Sequence, residues 1–340
     1  MEKEILSQRF RHFAEIECKG SSELYEHLSI NIAEDDELLE LAAHTRPGQP
    51  VPNLLFGAVH YLLLKGKKHE LREYYTSLVE HPKDVTESFS SFREFCLQNK
   101  QEIIPILQQK LVQTNEVRRC AYLYPVFCFI YDQVKKPLTL VEIGTSAGFQ
   151  LLWDQYSYTY GTNKRYGNVE SKVHITSEIK GNRQPFFIEK SPPVVQRIGI
   201  DLHINDLNNH EDELWLKALI WPEHKERRKL FEKAASCVKN QPLQLMEGDG
   251  VLLLPEMENQ IPHDSVLCIF HTHVANQIPE ERKKQLIENI RTIGQTREVF
   301  HLYNNMWDRK LHLDYFINIK EYKTTVGETD GHGRWFTWEL

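Results

Sequence analysis

A chain of 340 residues with 41 basic and 48 acidic side chains carries a net charge of −7, which argues against broad binding to a nucleic-acid backbone. Its hydrophobic content suffices for a sizeable core, yet the longest apolar run, residues 54–64, contains His60 and is too short to span a bilayer. Six scattered cysteines without a CxxC pair point to reduced thiols in a cytoplasmic protein, with no zinc knuckle or other metal site expected, and the mixed charge of Met1-Glu2-Lys3-Glu4 gives no sign of a leader peptide.

Residues 1–112 read as an N-terminal α-helical domain. Phe10, Phe13 and Ile16 recur at helical spacing, while Ser21-Ser22-Glu23-Leu24 and Asp35-Asp36-Glu37-Leu38 carry short polar residues suited to helix starts. Leu54, Val59, Leu62 and Leu63 give the most apolar helical face, Pro82 marks a turn and Pro105 a boundary. Residues 113–340 then read as an α/β domain. A helix over about 115–131, with Ala121, Val126 and Ile130 on its buried side, precedes a β-rich run at 139–143 that ends in Gly144; helical spacing resumes at Phe149, Leu151 and Leu152.

Further strands are expected at 195–200, 243–246, 266–270 and 298–303, with helices over 212–238 and 280–293. Trp215 and Trp221 are expected in packing roles, and Lys225, Arg227, Arg228 and Lys229 on a solvated face. Residues 157–195, rich in Tyr, Gly, Asn and Lys, interrupt the alternation and read as an inserted hairpin, either a lid over the sheet edge or a decoration. At the end, 315–323 and 334–338 resemble two strands joined across 327–333. Alternating strands and helices imply a doubly wound, mostly parallel sheet. Closed by a C-terminal antiparallel hairpin, that sheet fits the Rossmann-like class I methyltransferase fold.

Glu142-Ile143-Gly144-Thr145-Ser146-Ala147-Gly148 fits E-x-G-x-x-x-G after a strand. Gly144 and Gly148 are expected to let backbone approach a ligand, with Thr145 and Ser146 between them and Glu142 orienting amides. The cofactor this fits is S-adenosylmethionine. The same residues also spell G-x-S-x-G, a nucleophile elbow with Ser146 as the attacking group. Asp201, closing a second strand, is the expected acceptor for ribose hydroxyls, and Asp249, in Gly248-Asp249-Gly250 after a third, for an adenine amino group.

His271-Thr272-His273 follows the fourth strand, and alternation on extended backbone puts His271 and His273 on one face as candidate bases. Asn304 and Asn305, with Tyr303 and Trp307, suggest a polar pocket with an aromatic wall that His332 and Trp335 also reach. Asn115, Glu116 and Arg119 precede the first strand, and Arg119 suits bidentate contact with a carboxylate.

Pro52-Asn53-Leu54-Leu55, Thr114-Asn115-Glu116 with Arg119, the glycine turn, Gly199-Ile200-Asp201, Trp221-Pro222, Gly248-Asp249 and His332-Gly333 form one ordered set. In this set the chain resembles, over nearly its whole length, a bacterial family known only as domain of unknown function 2332. It departs from the family pattern at Arg118, where a small residue is usual, and at Thr272-His273, where serine and an aromatic are usual. The resemblance implies a methyltransferase-like sheet with an N-terminal helical domain and no established reaction. The leading expectation is therefore an S-adenosylmethionine-dependent methyltransferase acting on a small molecule. A serine hydrolase and a non-catalytic binding protein stand as alternatives.

Overall fold

The computed structural model describes residues 3–258 and 260–340, and the chain divides into two units. The first comprises Met1–Thr114 together with Asn209–Lys229. Ser22 Oγ accepts from the Tyr25 amide, and Asp35 Oδ1 from the amides of Glu37 and Leu38. These bonds satisfy otherwise orphaned N–H groups and open helices Glu23–Ile32 and Asp36–Ala42. Helix Val51–Leu64 is buried on nearly every side, so it forms the middle of the unit. The returning segment belongs here because of Trp215. Its indole N–H donates to the Leu111 carbonyl at 2.9 Å, and its ring lies where a Cβ on Gly57 would come within 3.3 Å.

Three local expectations give way in this unit. Pro105 lies inside helix Lys100–Gln109 rather than at a boundary. Ile16 is exposed although Phe10 and Phe13 are buried. Residues Phe13–Cys18 wind as a π-helix, whose wider turn rotates Ile16 off the core face. The helix expected over 212–238 is two, His210–Ala218 and Lys225–Val238, with Pro222 in the break. The helical part thus extends beyond the stretch before residue 112, since the burial of Trp215 rather than chain order decides what packs together.

The second unit comprises Asn115–Asn208 and Leu230–Leu340. Its strands, in chain order, are β1 (Leu138–Ile143), β2 (Ser157–Tyr160), β3 (Tyr166–Gly167), β4 (His174–Lys180), β5 (Val194–Asp201), β6 (Gln244–Glu247), β7 (Val266–His271), β8 (Val299–Asn304), β9 (Lys310–Ile317), β10 (Lys320–Glu328) and β11 (Trp335–Thr337). Among the described residues, seven form a sheet in the order β10-β9-β8-β7-β1-β5-β6. The five strands from β6 to β8 are parallel, and β9 and β10 are antiparallel. This is an α/β fold with a mostly parallel seven-stranded sheet.

Helices Gly250–Glu258 and Glu280–Gly294 cover one face, packing Leu254, Leu286, Ile290 and Ile293 with Val141, Ile200, Ile269 and Val299. Helix Cys120–Val134 covers the other, with the Phe127 ring stacked on Trp153 at 4.5 Å and edge-on to Phe270 at 5.5 Å. From β1 the chain pairs with β5 on one side and, later, with β7 on the other. Such a reversal leaves a crevice beyond the carboxyl ends of the strands, where ligands bind in sheets of this kind.

The last hairpin is not the one expected from the sequence. It is β9–β10, turned by Asn318 and Ile319 at φ 52° and 67°. β11 pairs in parallel with β4 and keeps one antiparallel bridge, Thr329 to Phe336, to the chain just after β10. The insertion is likewise more than a hairpin: β2 and β3 are antiparallel, β2 and β4 parallel, and β11 completes a small mixed sheet in the order β11-β4-β2-β3. After Gly148 the chain makes only two short 3-10 turns within Phe149–Gln155, kinked at Leu152, before entering β2.

Candidate functional site

The sequence of β1 is apolar except for Thr139 and Glu142, and both are buried. Glu142 lies in register with Phe270, so its side chain points to the sheet face covered by helix Cys120–Val134. There its Oε2 accepts from the Thr145 hydroxyl at 2.6 Å. Burial holds this carboxyl well above the usual range, Asp201 adds to the rise, and the Thr145 bond and Arg119 oppose it. Glu142 thus fixes the turn from within. The amides of Gly144 and Thr145 both donate to the Ile200 carbonyl, stitching the turn to β5.

The turn residues Gly144, Ser146 and Gly148 all have positive φ, at 78°, 52° and 82°. The room the two glycines leave is taken by protein rather than open to a ligand. A Cβ on Gly144 would lie 2.3 Å from Val274 Cγ2, and one on Gly148 would lie 2.7 Å from Leu243 Cδ1. At both glycines, then, the side on which a Cβ would stand is filled by close packing.

Beside the turn, Asp201 Oδ2 accepts from the Ser146 amide at 2.8 Å, and Oδ1 from the His203 amide at 3.3 Å. The Gly248 amide donates to the Asp201 carbonyl at 2.8 Å, which brings the Gly248-Asp249 turn of β6 alongside. Asp249 Oδ1 caps helix Gly250–Glu258 through the Val251 amide, and Arg282 stands 3.7 Å from Oδ2. Both aspartates therefore lie at neighbouring strand ends, partly exposed. Asn205, which the sequence did not single out, joins them by donating to Ser146 Oγ at 3.1 Å.

At the ends of β7 and β8, His271 and His273 part company. His271 shares the pleat of Ile269, so it is wholly buried on the opposite face from Glu142, its Nε2 3.1 Å from His301 Nε2. Burial lowers its pKa to about 3. A base needs access to substrate, so His271 is set aside as a catalytic candidate. His273 sits at φ 57°, off the extended path that the shared-face argument assumed. Its amide donates to Asn304 Oδ1 at 2.8 Å, and its Nδ1 pairs with Asn305 Nδ2 at 2.8 Å. Burial, with Arg119 and His332 nearby, lowers its pKa to about 3 as well.

Arg119 binds this corner together: Nε donates to the Gly331 carbonyl at 3.0 Å and Nη1 to Thr272 Oγ1 at 3.3 Å. Thr272 in turn donates to Gln150 Oε1 at 2.9 Å. The Tyr122 hydroxyl lies against the side chains of Thr272 and Asn304, while the enclosed His273 Nε2 has no hydrogen-bond partner in the protein. Buried polar groups are nearly always satisfied, so this nitrogen marks room for a ligand or a water. Gln150 and Tyr122 lacked a sequence signal, because single polar residues next to apolar ones do not reveal their direction. Trp335, expected here, lies on β11 with Lys180 Nζ 4.2 Å above its ring.

One family profile matches residues 7–338, under the description of uncharacterized proteins conserved in bacteria. The chain belongs to this family, domain of unknown function 2332. No curated protein and no solved structure matches it. In this family member, no helix of the described residues is long and apolar enough to cross a membrane. Nor, among the described residues, do three or more His, Cys, Asp or Glu side chains form a group that could hold a metal ion. Ser146 Oγ faces Asn205, whereas His271 is paired with His301 and His273 with Asn305. The nucleophile–base contact that a hydrolase elbow requires is not assembled around Ser146 among these bonds.

Proposed function

We propose that this protein binds S-adenosylmethionine at the carboxyl edge of β1, β5 and β6 and directs its methyl group to a small molecule. The observation that carries the reading is the adjacency of Asp201 and the Gly248-Asp249 turn, clasped to the glycine turn through the Ser146 amide. Two carboxylates at neighbouring strand ends, beside the switch in strand order, suit the vicinal hydroxyls of a ribose and a base amino group. The Ser146 and His203 amides each donate to one Asp201 oxygen, which fixes the direction of the carboxylate at the strand end. The unpartnered His273 Nε2 supports a ligand at the β7–β8 end of the same edge.

The cofactor, when bound, supplies an activated methyl group; the chain's part is to orient and enclose. Being neutral at physiological pH, His273 suits hydrogen bonding to an acceptor hydroxyl or amine better than removing its proton. Thermal shift with S-adenosylmethionine and S-adenosylhomocysteine tests the reading. Wild-type protein should be stabilised by both and Asp201→Ala by neither, while a serine-reactive phosphonate should leave Ser146 unlabelled. Absence of any cofactor response in the wild type would overturn it, and labelling lost in Ser146→Ala would favour a hydrolase.

A further inference from the structure

Strands β8, β9 and β10 carry polar residues on a face where apolar ones are expected. By register Tyr303 lies opposite His312, and Asp314 opposite Lys323, so all four share the face covered by helix Glu280–Gly294. Between that helix and these strands lies a cavity of about 360 Å³, lined by these four side chains with Arg291 and Trp307. That volume falls within the range of about 300–1,000 Å³ typical of small-molecule sites.

The lining is graded from floor to rim. Tyr303 is buried, donates its hydroxyl to Asp314 Oδ2 at 3.1 Å and stacks on His312 with ring centres 5.3 Å apart. His312 Nε2 is taken up by Asp308 Oδ1 at 2.8 Å. Burial raises the Asp314 carboxyl above its ordinary range, the Tyr303 bond, Lys323 and His312 oppose the rise only in part, and an ammonium in contact would relieve it further. At the rim, Arg291 and Lys323 share one carboxylate, Glu321, at 3.6 and 3.3 Å, and both cations are about half exposed. Trp307 is 52% exposed, with Lys283 Nζ 5.5 Å from its ring centre and the rest of the ring open to the cavity mouth.

We infer that this cavity is a binding site for a small amphoteric molecule of the amino-acid class with an aromatic side chain. Its ammonium points inward to Asp314 and Tyr303, its carboxylate outward to Arg291 and Lys323, and its ring lies against Trp307. An ammonium beside a buried carboxylate gains a charge-assisted hydrogen bond, and aromatic walls add cation–π attraction. Arg291 also stands 3.8 Å from the exposed Glu288, and surface pairs of this kind are weak enough for a ligand carboxylate to displace. The site is distinct from the β1–β5–β6 edge and does not depend on the cofactor reading.

Ligand-detected saturation-transfer NMR with three probes tests the assignment: L-phenylalanine, phenethylamine without the carboxylate, and phenylacetate without the amine. L-Phenylalanine should bind best. Asp314→Asn, nearly isosteric, should weaken L-phenylalanine and phenethylamine at least tenfold while leaving weak phenylacetate binding. Lys323→Gln, at an exposed position that spares the fold, should weaken L-phenylalanine and phenylacetate and leave phenethylamine unchanged. No transfer to L-phenylalanine in the wild type, or equal binding by wild type, Asp314→Asn and Lys323→Gln, overturns the proposal.

Discussion

The carboxylate of Asp201 accepts the backbone amide of Ser146 at 2.8 Å, across from one strand end to the turn beyond its neighbour. A residue held this way is aimed before any ligand arrives, which lowers the ordering cost of binding. Asp201→Asn keeps the shape but gives up the charge and one acceptor. It is expected to weaken S-adenosylhomocysteine at least tenfold by isothermal titration while shifting the melting temperature of the unliganded protein by only a few degrees. Equal affinity in both proteins counts against a ligand contact at Asp201.

Gly144 is constrained twice, by its φ of 78° and by Val274 Cγ2 standing 2.3 Å from where a Cβ would be. Gly144→Ala is expected to destabilise by about 2–5 kcal/mol, from a left-handed non-glycine residue and local overpacking. Adding Val274→Ala removes only the second part. Relative to Val274→Ala alone, the double variant should retain a cost of about 1–2 kcal/mol, measured by urea unfolding.

The β9–β10 turn offers a stabilising change. Ile319 is an exposed β-branched residue at φ 67°, following Asn318 at φ 52°. Two-residue hairpins of this kind favour Asn-Gly. Ile319→Gly relieves the strain and gives back part of the gain as unfolded-chain freedom, for a net stabilisation of about 0.5–1 kcal/mol. A lower urea midpoint for the variant would contradict this.

Acid should destabilise the protein through its buried imidazoles. His60 Nδ1 donates to the Ala218 carbonyl, its Nε2 accepts from the Ser77 hydroxyl, and burial holds it and His271 near 3, against 6.5 when free. Folded values lie below unfolded ones, so between those limits the unfolded chain binds protons that the folded chain refuses. Their stabilising contribution is complete above about pH 6.5 and is lost progressively as the pH falls toward 3. Melting temperatures between pH 7.5 and 4.5 should fall less steeply in His271→Phe; parallel slopes would rule His271 out as a contributor.

Much of the central sheet was legible because its strands are short apolar runs punctuated by Gly144, Asp201 and Gly248, which local chemistry suffices to mark. The caps at Ser22 and Asp35 were legible for the same reason. What the sequence hid was partnership over distance. Trp335–Thr337 has the pattern of any edge strand, and only its pairing with Glu178–Lys180 decides which sheet it joins. His271 looks like a surface base until His301, thirty positions later, is found against it. Likewise Leu243 and Val274 occupy the glycine turn from other strands' loops, which no local reading of Gly144 or Gly148 reveals.

The return of Asn209–Lys229 to the helical unit has a consequence for biosynthesis. A nascent chain emerging vectorially from the ribosome presents helix Val51–Leu64 long before Trp215 exists to seal the gap at Gly57. That apolar helix stays incompletely covered while β1 to β5 are being made, and a fragment ending at Thr114 inherits the same bare groove. The aggregation-prone window of this protein is therefore expected to close only once Asn209–Lys229 has emerged from the ribosome.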